Sequence, residues 1–237
     1  MTTQDRINDY WTGRAPSYAA YQLQPGRMAD DVAAWSQVWA GALPATPLDV
    51  LDVGTGSGQV ASILAGLGHR VTGIDLSPGM LEQARTAYGN VDFRLGDAVD
   101  PAFAAASLDA VTGRYVMWTL RDPEAAVKNW IRLLRPGGTV AVVDSTWFPD
   151  GPQNFYDPSV WQALPLAQAT DINQTAAVLS GAGLADVTVT PLTGIHELDE
   201  RYGVAPGHEV QMQYLITGRA HARPRRAPRS TRPSSTR

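Results

Sequence analysis

Residues 50–61 read VLDVGTGSGQVA. An apolar run carries Asp52 near its end, glycines follow at positions 54, 56 and 58, and an apolar-periodic segment begins at once. The pattern is that of a buried strand, a tight turn suited to glycine, and a helix whose unpaired N–H groups face the turn. Such a turn commonly holds a nucleotide, and the spacing bears on which one. A dinucleotide fingerprint, G-x-G-x-x-G, would place its third glycine at position 59, where Gln59 stands. Asp52, two residues before the first glycine, is expected to aim a carboxylate where a pyrophosphate needs neutral or positive surroundings. A cofactor that carries positive charge suits that acid better.

Outward from this turn, strand and helix signals alternate. RVTGIDL (70–76) reads as a strand, and SPGMLEQARTAY (77–88) as a helix with Ser77 as N-cap and Pro78 in its first turn. Strands follow at 91–96 and 108–116, then a helix at 122–134 capped by Asp122, then a turn and a fifth strand over 135–144. This order predicts an α/β fold, a Rossmann-like sheet that is mostly parallel with helices on both faces. Residues 171–184 read as a helix, and 186–192 and 208–219 as two strands with no helical pattern between them, which suggests an antiparallel pair.

The first 45 residues carry no β pattern. TTQDRINDYW (2–11) reads as a short helix, GRAPSYAAYQLQPG (13–26) as a broken connection, and GRMADDVAAWSQVWAGAL (26–43) as an amphipathic helix. In the last, Met28, Val32, Trp35 and Trp39 form one apolar face expected to pack on the body of the domain. The chain thus divides into a helical lid (1–45), an α/β domain (46–217) and an Arg-, Pro- and Ser-rich tail (218–237).

Two further acids follow Asp52. Asp75 ends the second predicted strand, where a carboxylate can accept from both hydroxyls of a ribose. Asp97 ends the third, where it can accept from an adenine amino group while Ala98 offers a backbone N–H; Leu76 and Met80 would flank the base. VLDVGTGSG, GIDLSPGMLEQAR, GDA, LDAVTGRYVMWTLRDP and LLRPGGTVAVVD, spanning about residues 48–145, resemble in order and spacing the successive motifs of the class I S-adenosylmethionine-dependent methyltransferases, in the small-molecule type 11 or UbiE-like branch. The resemblance implies a seven-stranded sheet with an antiparallel last strand, and S-adenosylmethionine as the cofactor, leaving as S-adenosylhomocysteine. It also implies that Asp52, Gly54, Thr55 and Gly56 lie near the methionine moiety, Asp75 on the ribose, Leu76, Met80, Asp97 and Ala98 around the adenine, and Arg114 and Tyr115 beside the cofactor. YWTGRAPSYAAY (10–21) is similar to the lid of this branch, where Arg14 would hold the methionine carboxylate and Trp11 or Tyr18 would cover it.

Methyl transfer from a sulfonium is an in-line displacement, so the protein mainly aligns the partners, excludes water and, where needed, removes a proton. The motif of amino-group methylases of nucleic acids, an Asn or Asp before Pro-Pro and an aromatic, is missing; its place reads TGRY (112–115). The absence of cysteine excludes cytosine C5 methylation through a thiolate and thiol-dependent arsenite methylation, as well as disulfides and Cys-ligated metal sites; no metal is expected. A small aromatic substrate remains. Aromatic residues gather outside the motifs, in the lid and after the fourth and fifth strands. Tyr21, Trp118, Trp147 and Phe155 are the expected substrate walls, whereas Trp35, Trp39 and Trp130 are read as packing.

The whole pattern resembles actinobacterial indole C3-methyltransferases of specialised metabolism that act on tryptophan-derived cyclic dipeptides. An indole must give up its N–H proton as C3 attacks, so a base is expected: Tyr21 from the lid, or His196, Glu197 or His208 from the final strands. His69 and His221 are left out of the site. Methylation of a quinone, phenol or polyketide is the alternative acceptor chemistry, and a non-catalytic S-adenosylmethionine-binding subunit the alternative class. A nicotinamide dehydrogenase ranks third because of Gln59 and Asp52.

Charge is unevenly spread. The 237 residues carry a net charge of −4, but residues 218–237 hold seven arginines and no acid, so residues 1–217 carry about −11. An acidic domain argues against a nucleic-acid surface. The tail has almost nothing apolar to bury and reads as disordered. No stretch approaches the roughly 20 apolar residues of a membrane span, and residues 1–11 do not read as a secretory signal, so a cytoplasmic location is the expectation. A homodimer is left open.

Overall fold

A computed structural model describes residues 1–148, 151, 156–205 and 209–221. Chain order is α1 (Thr3–Gln22), α2 (Met28–Ala42), β1 (Asp49–Val53), α3 (Gln59–Gly66), β2 (Arg70–Asp75), α4 (Pro78–Ala87), β3 (Asp92–Leu95), β4 (Leu108–Arg114), α5 (Pro123–Leu133) and β5 (Leu134–Asp144). Then come α6 (Pro158–Gln162), α7 (Asn173–Gly181), β6 (Ala185–Pro191), α8 (Thr193–Tyr202) and β7 (Tyr214–Arg219). The seven strands form one sheet in the order β3-β2-β1-β4-β5-β7-β6. Only β7 runs against the rest, pairing antiparallel with both β5 and β6.

Alternation along each strand builds two cores, one on either face of the sheet. Leu51, Val111, Val140, Val142 and Ile216 face Trp130 and Leu133 of α5 and Leu179 of α7. Val50, Ala110, Ala141 and Val143 face Trp35 and Trp39 of α2, Leu64 of α3 and Ile195 of α8. Both predicted caps form: Ser77 accepts from the Met80 N–H, and Asp122 from the Ala125 N–H.

The N-terminal region departs from the sequence reading. Residues 2–26 were expected as a short helix and a broken connection, but α1 is one helix of 20 residues with Pro16 inside it. A reciprocal Thr2–Asp5 capping box starts it, and Ala15, Ala19 and Gln22 bury one face. Pro16 sits on the exposed side, where the lost backbone bond is outweighed by that burial. In α2, Trp35 and Trp39 are buried as expected, whereas Met28 and Val32 are 43% and 41% exposed. Asp31, one α-helical turn before Trp35, takes the inward place because it is paired with the buried Arg27.

Between the last two strands lies α8, which the sequence reading missed. Residues 208–219 were expected as one strand, but β7 begins at Tyr214. At the C-terminus, β7 continues to Arg219 and the buried Ala220 donates to the Gly138 carbonyl, so residues 218–220 belong to the sheet and not to the arginine-rich tail. No helix among the described residues is long and apolar enough to cross a membrane.

Candidate functional site

The glycine turn works as its spacing demands. Gly54, Gly56 and Gly58 all have positive φ, at 61°, 55° and 86°. A side chain at Gly58 would lie 2.6 Å from the Phe93 ring, and one at Gly54 would lie 2.5 Å from Val116. The turn is thus pressed against β3 on one side and the end of β4 on the other.

Asp75 at the end of β2 accepts from the Gly56 N–H at 2.9 Å and the Ser77 N–H at 2.8 Å. Burial pushes its pKa up, opposed by those backbone bonds. Asp97 accepts from the Val99 N–H at 2.8 Å. Both acids line a cleft of ≈ 790 Å³, including its mouth, at the C-terminal edge of the strands. Gly54, Gly56, Leu76, Met80 and Ala98 line it too. Arg114 and Tyr115 from the end of β4 close its inner end, and Trp11 and Tyr18 of α1 roof it.

Three expected cofactor residues fall elsewhere. Asp52 is 1% exposed and lies beneath the turn instead of pointing into the cleft. Its register partner on β4 is Thr112, whose hydroxyl donates to it at 2.8 Å, and Thr55 donates at 2.7 Å. Burial drives its pKa up to about 6 despite these two bonds. Thr55 is buried with it, and Arg14 lies with its guanidinium 5.9 Å from the Tyr10 ring, lining neither chamber. The two threonines hold Asp52 in the body of the turn, a contact that β4 makes and that strand periodicity alone does not reveal.

Beside the cleft lies a second chamber of ≈ 600 Å³, including its mouth, which shares Trp11, Tyr18, Arg114 and Tyr115 with the first as a wall. Tyr21, Trp118 and Trp147, read from sequence as substrate walls, line it. Trp35, read from sequence as packing, lines it as well, and the Arg114 guanidinium stacks 4.8 Å from its ring. Trp147 meets Tyr115 edge-on at 4.8 Å, and Trp11 meets Trp118 at 6.1 Å. Asp144 at the end of β5 accepts from the Trp118 backbone N–H at 3.2 Å and from the Trp147 indole N–H. Burial raises its pKa to about 7 against those bonds.

The polar part of this chamber is what sequence reasoning missed. Arg27 pairs with Asp31 at 2.7 Å and with Asp199 of α8 at 2.6 Å, and donates to the Gly203 carbonyl. Gln213 donates to Asp199 at 2.6 Å and accepts from the Tyr115 hydroxyl. Arg27 and Asp31 stand one helical turn apart, but Asp199, Gln213 and Tyr115 join them from far parts of the chain, and no local motif announces the cluster.

The expected bases fare differently. Tyr21 lines the chamber, but its hydroxyl donates to the Gly203 carbonyl at 3.1 Å and burial pushes the phenol up, so it is a donor and not a strong base. His196 and Glu197 sit on α8 and not on the final strands; His196 lies 3.7 Å from Glu200, and neither lines a chamber. His208 and Phe155 lie outside the described residues.

Residues 51–142 match the family model described as "Methyltransferase domain". The matched span holds the glycine turn, Asp75 and Asp97. A probable S-adenosylmethionine-dependent methyltransferase of Mycolicibacterium smegmatis is 32% identical over 165 residues, 65% of this chain and 60% of that protein. A demethylmenaquinone methyltransferase of Renibacterium salmoninarum is 32% identical over 61% of this chain and 62% of its own length. A nocamycin O-methyltransferase of Saccharothrix syringae is 39% identical over 42% and 38%. The chain thus spans less than two thirds of these curated relatives. In fold, the chain resembles phosphoethanolamine N-methyltransferase 2 of Haemonchus contortus in complex with S-adenosyl-L-methionine, with a TM-score of 0.65 at 18% identity over 93% of this chain and 60% of that one.

The residues of the cleft suit the S-adenosylmethionine named for the Mycolicibacterium smegmatis relative. Asp75 keeps lone pairs for two ribose hydroxyls beyond its two backbone bonds, Leu76 and Met80 give an apolar slot for a base, and Asp97 gives an acceptor at its edge. No site for a metal is formed among the described residues.

Proposed function

We propose that this protein methylates a small, flat aromatic molecule, held in the inner chamber while S-adenosylmethionine occupies the outer cleft. One observation carries this reading: two adjoining chambers share Trp11, Tyr18, Arg114 and Tyr115, one edged by acids at strand ends and the other walled by aromatic rings. The bound cofactor supplies an electrophilic methyl group on a sulfonium. The chain's own residues do the rest. Asp75 would fix the ribose, Asp97 and the Ala98 backbone the adenine, and the roof of α1 would keep water from the junction. The faces of Trp11, Tyr18 and Tyr115 at that junction favour a cation. Asp52 contributes by fixing the turn through Thr55 and Thr112.

Within this reading we take indole C3 of a tryptophan-derived cyclic dipeptide as the acceptor, supported by the aromatic walls of the chamber. A quinone or polyketide acceptor is favoured instead by the names of the menaquinone and nocamycin relatives. Mass spectrometry of products from cyclic tryptophan dipeptides, quinones and phenols decides between them; one added methyl with loss of indole absorbance marks C3 attack and ring closure. The cofactor assignment is tested by calorimetry with Asp75→Ala. Loss of two ribose hydrogen bonds should weaken S-adenosylmethionine binding on the order of 100-fold, and equal affinity would sink the assignment.

A further inference from the structure

The inner chamber closes off almost all of its own polar atoms. Tyr115 gives its proton to Gln213, Gln213 gives an amide proton to Asp199, Tyr21 gives its proton to Gly203, and Gln22 accepts from Ser57. Among the described residues, two buried atoms of lining residues lack a partner: Asp31 Oδ1, an acceptor, and Gln59 Nε2, a donor. Both residues are 3% exposed. A buried polar atom without a partner costs about 1–3 kcal/mol, so a fold that keeps two in one chamber has a use for them. The charges of the lining also cancel, since Arg27 and Arg114 face Asp31 and Asp199. A charged ligand would upset that balance; a neutral one would not.

Resting on the reading of this chamber as the acceptor site, we propose that Asp31 and Gln59 are its specificity-determining residues: Asp31 Oδ1 takes an N–H or O–H of an uncharged aromatic acceptor, and Gln59 Nε2 gives a hydrogen bond to its carbonyl. A secondary lactam fused to or carried by an aromatic ring offers both groups together. Arg27 holds Asp31 through Oδ2 and so leaves Oδ1 as the recognition atom. Asp31→Asn would turn its oxygen to Arg27 and present an amide donor to the chamber, inverting what is read there.

The experiment titrates 2-quinolone and N-methyl-2-quinolone against the full chain by ligand-observed NMR, with and without S-adenosylhomocysteine, which is itself titrated by calorimetry. Wild type should bind 2-quinolone about tenfold more tightly than its N-methyl analogue, the value of one hydrogen bond to a charged group. Asp31→Asn should abolish that preference, and Gln59→Leu should weaken both probes while keeping it. Gln59→Leu touches neither the Arg27 pairs nor their partners, so it keeps the test valid if Asp31→Asn misfolds. Equal affinity of the two quinolones for wild type, or no binding of either, overturns the proposal. Failure of S-adenosylhomocysteine to bind would instead overturn the methyltransferase reading, and the quinolone comparison in its absence would still judge the two residues.

Discussion

Asp144 shows how one buried acid can organise a wall. It takes N–H groups from Trp118, Ser145 and the Trp147 indole, and so sets two rings of the inner chamber. Burial raises its pKa to about 7, far above the ordinary carboxylate value of 3.8. The folded form therefore binds more protons than the unfolded chain between about pH 4 and pH 7. This contribution to stability is fully present below pH 4 and is lost as pH rises through 7, at a slope of at most ~1.4 kcal/mol per pH unit. Asp144→Asn, which does not titrate, should gain on wild type in urea midpoint as pH goes from 4.5 to 7.5. A constant difference over that range would show that the carboxylate stays ionised. At this same scale much of the outer cleft was legible in the sequence, because acids and glycines at strand ends are local signals: Asp75, Asp97, Gly54 and Gly56 all line it. Asp199 and Gln213 were illegible because their partners lie in other elements, and Asp31 because only the burial of Arg27 gives it an inward place.

Among the elements, α1 decides whether the site is covered. It rests on α4 at Gly79, where a side chain would lie 2.9 Å from the Thr12 carbonyl and Cγ2, and the Thr12 and Ser77 hydroxyls meet at 3.0 Å. Its outer end is tied by Arg6 to Asp157 at 3.2 Å and by the Trp11 indole to the Tyr156 hydroxyl at 2.8 Å. Gly79→Ala should push this helix off its seat. We expect about tenfold weaker S-adenosylmethionine binding with little change in the urea midpoint, since the sheet cores lie elsewhere. Unchanged affinity would mean that α1 is no part of the cofactor's cover. The strands and central helices were legible because their period and caps are strong, as at Ser77 and Asp122. The helix α8 was not, because its inward residues Ile195, Leu198 and Asp199 include an acid that only Arg27 explains. Pro16 hid the continuity of α1 for the opposite reason: a local breaker is overruled by tertiary burial of the next turn.

For the whole molecule, Ala220 is the last buried residue described. Truncation after His221 should leave the melting temperature within ~2 °C of the full chain, whereas truncation after Gln213 should give insoluble protein. A soluble, cooperatively melting product of the second truncation would refute this account. The reason lies in the placement of β7 between β5 and β6. Because β7 follows both of its neighbours in the chain yet fills an interior slot, β5 and β6 wait during synthesis as two bare edges with a vacancy one strand wide. That strand is thus a keystone, and the inner chamber, whose Gln213 immediately precedes it, is finished only when the keystone drops in.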